Sequence, residues 1–202
     1  MLEQLFLQTI LKYSSNQSYN DQCWREIEKQ YSSKSRHYHN LIHLEKMFEE
    51  LEEVKAKIKN LDSLIFAIFY HDIIYKARKS DNEYQSAILF EKRISKTSFE
   101  FIQDCKRKIE LTKEHLNSDD QEVNYLMDLD LSILGKSPDE YLIYSKNIRQ
   151  EYIIYPDFLY YKGRRKALES LLNLESLFKT DYFKLKYEEQ AQMNLKNELL
   201  SL

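Results

Sequence analysis

With only two glycines and two prolines in 202 residues, this chain has few places to turn. A sandwich or barrel of short strands needs a turn signal every ten residues or so, and these two residue types supply most of them. Their scarcity points to long helices joined by short connections. The length suits one domain with a sizeable core. Hydrophobic residues make up 43% and charged residues 31%, the balance of an ordinary globular chain.

The apolar periodicity is helical almost throughout. A first helix is predicted over 3–14, with Leu5, Phe6, Ile10 and Leu11 as its stripe. A second is predicted over 20–32, capped by Asn20. A third starts near His39 and reaches about 57, turning Leu41, Leu44, Met47, Phe48, Leu51 and Val54 inward. Residues 62–75 are apolar nearly all round, the mark of a central buried helix. Asp81 caps a helix to Ile94, and further helices are predicted over 99–115, 119–132 and 138–152. Ser137 before Pro138 is a cap-and-first-turn signal. Two last helices are predicted over 162–178 and 181–201, the latter capped by Thr180, and Gly135 and Pro156 mark the clearest breaks. There is no repeat and no low-complexity segment. The reading is all-α, a single helical-bundle domain over 1–202.

Charge narrows the partners. The net charge is −3, which gives no basic footprint for polymeric nucleic acid. The basic run "KGRRK" (162–166) lies among acidic neighbours and reads as a solvated helix start. Cys23 and Cys105 make neither a disulfide framework nor a metal-ligand spacing, which fits a reducing, cytoplasmic setting. "MLEQLFLQTILKY" has no positive n-region, so it does not read as a signal peptide. The longest apolar run, "LIFAIFY" (64–70), is too short to span a bilayer, and no membrane partner is expected. The tyrosines and phenylalanines at 152, 155, 158, 160 and 161 suit internal packing or a homodimer contact.

The chemistry concentrates elsewhere. "RHYHNLIH" (36–43) holds three of the five histidines. His39 and His43 are four apart and would share one face of a helix, with Cβ atoms about 5–6 Å apart. "FAIFYHDIIY" (66–75) sets His71 and Asp72 in an apolar run, where an imidazole and a carboxylate cost several kcal/mol unless paired or bound to a cation. "MDLDLS" (127–132) adds Asp128 and Asp130. Imidazole and carboxylate from facing helices are what a divalent metal needs in a helical bundle, and mixed nitrogen and oxygen donors suit Mn, Fe, Co, Ni, Zn or Mg.

The order His, His-Asp, Asp resembles the HD superfamily of metal-dependent phosphohydrolases. "YHNLIH" is similar to the Tyr-His-Asn-x-x-His segment of cyclic nucleotide phosphodiesterases, which share that fold. Over most of its length the chain resembles a group of small bacterial predicted HD phosphohydrolases, through "RHYHNLIH", "FYHDIIY", "DNEYQSA", "LTKEH", "DLDLSILG", "IRQEY" and "NLKNEL" in that order. The resemblance implies an HD-type helical bundle with His43, His71, Asp72 and Asp130 as metal ligands and His39 as the proton donor to the leaving group. Asp128 is the alternative last carboxylate. The additional histidine that two-metal members carry after the His-Asp pair is missing from "HDIIYKARKSDNE". Glu83 and His115 are candidates to complete a second site or hold a water or phosphate, though each also suits the helix end where it stands.

Arg36 adjoins the histidine cluster and is a candidate phosphate clamp. Lys76 and Arg149 are further candidates to meet a phosphate, Arg149 also being placed to pair with Glu151. His37 reads as a surface residue. The expected function is hydrolysis of a small phosphate ester or nucleotide by a metal-activated water. The rivals are a non-catalytic nucleotide sensor, an iron-dependent oxygenase on the same ligands, and a plain helical interaction protein.

Overall fold

The computed structural model describes residues 1–114 and 116–202, so His115 and whatever it does lie outside the described residues. Among these, all regular structure is helical, as the scarcity of turn formers predicts. The chain divides into two compact units, Met1–Leu116 and Asn117–Leu202.

The first unit holds α1 (Leu2–Leu11), α2 (Gln17–Tyr31), α3 (Leu41–Val54), α4 (Leu61–Tyr70), α5 (Asn82–Ile94) and α6 (Ile102–Leu111). Its centre is α4. Every residue from Ser63 to Tyr70 is buried, because α4 packs against α1, α3, α5 and α6. The contacts are largely ring on ring. Phe6 of α1 meets Phe69 edge-on at 5.3 Å and Trp24 at 6.1 Å, while Phe48 of α3 lies 4.8 Å from Phe69. Burying each such ring is worth roughly 1.5–3 kcal/mol. The two thiols belong to this core: Cys23 is 1% exposed and Cys105 fully buried, its Sγ–H donating to the Ser63 carbonyl at 3.3 Å. Burial pushes both thiols above their ordinary range.

Several predicted boundaries move. α2 starts at Gln17, capped by Asn16, whose side chain accepts from Tyr19 N–H at 3.1 Å. Asn20 is buried inside the helix and donates back to Ser14 O. α3 begins only at Leu41, where Asn40 accepts from Ile42 N–H at 2.9 Å and His43 N–H at 3.4 Å. His39 therefore precedes the cap and shares no helical face with His43. α4 stops at Tyr70, which puts His71 and Asp72 in the turn that follows.

The second unit holds α7 (Gln121–Leu131), a short 3-10 turn (Ser132–Gly135), α8 (Pro138–Glu151), α9 (Asp157–Leu172) and α10 (Asp181–Ser201). Ser137 and Glu140 form the reciprocal capping box that starts α8. α9 begins five residues before the predicted 162, immediately after Pro156, and ends at Leu172, so the basic run lies inside it and is not its start. The segment that follows is pinned by side chains. Glu188 accepts from Leu177 and Phe178 N–H at 2.9 and 3.0 Å. Asp128 accepts from Lys179 N–H, Thr180 N–H and Thr180 Oγ–H at 2.7–2.8 Å. Arg164 lays its fork on Glu198, at 2.8 and 2.9 Å, with Tyr141 and Ser145 also donating to that carboxylate.

The two glycines differ in what surrounds them. A Cβ on Gly135 would run into Tyr187, reaching its carbonyl oxygen at 2.8 Å, because the 3-10 turn rests directly on α10. A Cβ on Gly163, inside α9, would meet nothing within 4 Å. Gly135→Ala is therefore expected to destabilise by about 1–3 kcal/mol, and Gly163→Ala to stabilise by about 0.5–1 kcal/mol, both read from urea midpoints. The Glu198 site gives a pH test. Burial raises its carboxyl, but the Arg164 fork, Tyr141 and Ser145 outweigh that and hold it below the ordinary 4.5. Its contribution is thus present above that value and lost as pH falls through the lower folded one. Glu198→Gln should flatten the acid limb of the stability curve.

Candidate metal centre

Two chain segments of the first unit build the site. One is the approach to α3. Asn40 caps the helix with its side chain, so His43 falls in the first turn, where its ring is buried. The other is the end of α4. His71 N–H still bonds Ala67 O at 2.8 Å, and the chain then breaks away into Asp72. The turn is fixed by Ser86 of α5, whose hydroxyl accepts from Ile74 N–H at 3.0 Å and donates to Ile74 O at 3.3 Å. Asn82 closes the next turn, accepting from Lys76 N–H and donating to Lys76 O.

These segments bring His43, His71 and Asp72 together, one donor atom from each lying within 4.8 Å of the others. His43 Nε2 and His71 Nε2 are 3.3 Å apart, and Asp72 Oδ2 is 3.5 Å from His71 Nε2. His71 Nδ1 lies 2.8 Å from the carbonyl of Ile68. A carbonyl only accepts, so Nδ1 carries the proton and a neutral His71 presents a bare Nε2 to the cluster. A backbone carbonyl behind a ligating imidazole is the usual orienting partner in metal sites. Two nitrogens each about 2.0–2.1 Å from a tetrahedral metal are separated by about 3.3–3.4 Å. The His43–His71 pair has that spacing already, with an anionic oxygen beside it, so the donor set fits a divalent ion.

His39 reaches the same place from the loop. Its Nε2 is 3.7 Å from Asp72 Oδ2, and its side chain is 15% exposed where that of His71 is 1%. It stacks on Tyr75 at 4.1 Å, and Tyr38 packs against both His39 and His43 at 4.9 Å. The helical spacing expected of His39 and His43 is absent, yet their rings are 5.8 Å apart. A loop held by aromatic contacts does what the helix was expected to do. Neither Tyr38 nor Tyr75 was singled out from the sequence, although each adjoins a histidine motif.

Arg36 is not poised as a phosphate clamp. It is buried and donates to His39 O at 3.0 Å and to Ile73 O at 2.8 Å, lying over the rings of Tyr31 and Tyr75. It ties the His39 loop to the turn that carries Asp72. Lys76 is exposed, Glu83 is half-buried in the first turn of α5, and His37 is exposed. In the second unit, Asp130 stands half-buried on α7. Asp128, two residues earlier, has both oxygens occupied by the start of α10, and burial pushes its carboxyl up to about 6 against those hydrogen bonds. It serves as an internal cap. Arg149 donates to Tyr152 O and Tyr155 O and pairs with Asp157 at 2.6 Å, closing the α8–α9 connection.

Arg36 thus holds the site by its fork. Arg36→Ala should cost about 2–3 kcal/mol in the metal-free protein, and Arg36→Lys should recover only part of it, since an ammonium cannot match two carbonyls in a plane. Urea unfolding of both variants checks this. Comparison of the chain with known protein families, with curated proteins and with solved structures found no match.

Proposed function

We propose that this chain is a metal-dependent phosphohydrolase of the HD type, acting on a small phosphate ester or nucleotide. The observation that carries the reading is the pair of imidazole nitrogens 3.3 Å apart, one of them fixed in its tautomer by a backbone carbonyl, with Asp72 beside them. His43, His71 and Asp72 would hold the ion, with Asp130 added on the strength of the family resemblance. A bound divalent ion supplies Lewis acidity toward phosphoryl oxygens and brings the pKa of water toward neutrality.

The chain's own residues supply the rest. Ile68 O keeps the His71 ring oriented, so no reorganisation is needed when a ligand arrives. Asp72 would contribute one negative charge toward offsetting a divalent cation. His39 is the most accessible of the three clustered imidazoles and gives its proton to the departing oxygen, as an imidazole can near neutral pH. Tyr75 and Tyr38 fix the plane of that ring. Arg36 sets the distance between the proton donor's loop and the Asp72 turn. A reducing, cytoplasmic setting belongs to the same proposal and suits two free, buried thiols.

Elemental analysis and turnover on the same preparations test this. Wild type is expected to carry one or two divalent ions per chain and to hydrolyse p-nitrophenyl phosphate or its bis-ester. His71→Ala and Asp72→Ala should lose the metal and about a hundredfold or more in rate. His37→Ala, on an exposed side chain, should change neither. Full metal and full rate in Asp72→Ala would sink the assignment. Tight nucleotide binding without turnover would move it to a sensor, and iron-dependent O₂ uptake to an oxygenase.

A further inference from the structure

The second unit carries an apolar tip with a basic collar behind it, and neither has a place in the proposed chemistry. The tip is the α8–α9 connection and the first turn of α9. Phe158 is 72% exposed, Ile153 61%, Leu159 48% and Ile154 45%. A run of large apolar side chains this open is costly to leave in water unless something covers it. Only Tyr160 and Leu168 of α9 are buried, so the helix leans on its unit by one narrow stripe and presents the rest outward.

Behind the tip, on the outward side of the same helix, stand Lys162, Arg165 and Lys166, all exposed and outside every ion pair among the described residues. At 1.5 Å per residue they follow Phe158 by about 6 to 12 Å along the axis. The acid at the tip, Asp157, is neutralised by Arg149 at 2.6 Å, and Glu169 follows the collar one turn on. The local charge is positive on a chain whose net charge is −3.

We propose that this element docks the protein on an anionic lipid surface. The order and spacing select that partner. An interfacial element buries its apolar part about 5–10 Å into the headgroup–acyl boundary, which leaves a collar at this distance level with the lipid phosphates. A phosphodiester polymer would use the cations but not the aliphatic Ile153, Ile154 and Leu159. A second copy meeting this face would bring its own uncompensated cations to the same interface, where the tip acid Asp157 is already paired with Arg149, which costs affinity. The chain thus contacts lipid from one side without crossing it, and no helix among the described residues is long and apolar enough to span a membrane.

Co-sedimentation of the full chain with vesicles decides the matter, using phosphatidylcholine alone and phosphatidylcholine mixed with phosphatidylglycerol. Binding is expected to the mixed vesicles only, and to weaken with salt. Phe158→Ser should lower partitioning about tenfold or more, and Lys162→Ala about fivefold. Both substitutions are on open surface and should leave the circular dichroism and metal content of wild type. No binding to mixed vesicles overturns the proposal, as does binding that both variants retain undiminished. Sedimentation velocity supplies the other arm: self-association lost in Phe158→Ser, without vesicle binding, would assign the tip to a second copy instead.

Discussion

The first unit depends on burying one helix on every side. α4 offers no polar face, so it is stable only with α1, α3, α5 and α6 packed around it. That constraint also sets where the helix may end. The first polar side chains after the buried run, His71 and Asp72, arrive immediately after its last turn, where the carbonyls of α4 run out of amide partners. Ile68 O takes the His71 ring in place of a backbone donor. The same hydrogen bond completes the helix end and orients the imidazole, so the site inherits its geometry from the core.

The other half of the site has no such rigid origin. Residues 32–40 form no helix, and their shape comes from side chains: Arg36 bonded to carbonyls on both sides, Tyr75 stacked on His39, Asn40 at the head of α3. Except for the Arg36–His39 bond, which braces the loop internally, these contacts cross from the loop to another segment, so its shape is over-determined despite lacking regular structure. A buried guanidinium with its fork occupied is a strut, and its cation faces two rings as well as two carbonyls.

Much of the helical content was legible because amphipathic periodicity is a direct imprint of burial. The inward residues of α3 from Leu44 to Val54 fall where the pattern puts them, and the Ser137–Pro138 start of α8 is correct to the residue. The misplaced starts each have their own cause. In α9 the first turn is apolar yet faces outward, so Phe158 and Leu159 break the pattern that would have extended the helix back to Pro156. At α3 the His39–His43 spacing imitates a helical turn, while the cap chemistry of Asn40, also readable, was decisive. Asn16 and Asn20 are equally good caps in isolation, and the choice between them is made by tertiary packing that buries Asn20. His43, His71 and Asp72 were identifiable as a cluster because polar groups in apolar runs demand partners. Arg36, Asp128 and Arg149 mark the limit of that reasoning. Charge beside a motif suggests a ligand contact, but each of these is hydrogen-bonded to backbone, for Asp128 to amides 51 and 52 residues away, which only the folded chain brings together.

The two thiols give the first unit an intrinsic clock. Cys23 and Cys105 sit on α2 and α6, on different elements around the same core, and both are shielded from solvent and held in the unreactive protonated form. A thiol-specific reagent can therefore reach either one only through an opening of that core. The second unit contains no cysteine at all, so modification rates report on the first unit alone. Equal rates at the two positions would mean that α2 and α6 open together. Unequal rates would time separately the opening of the core around each of the two helices.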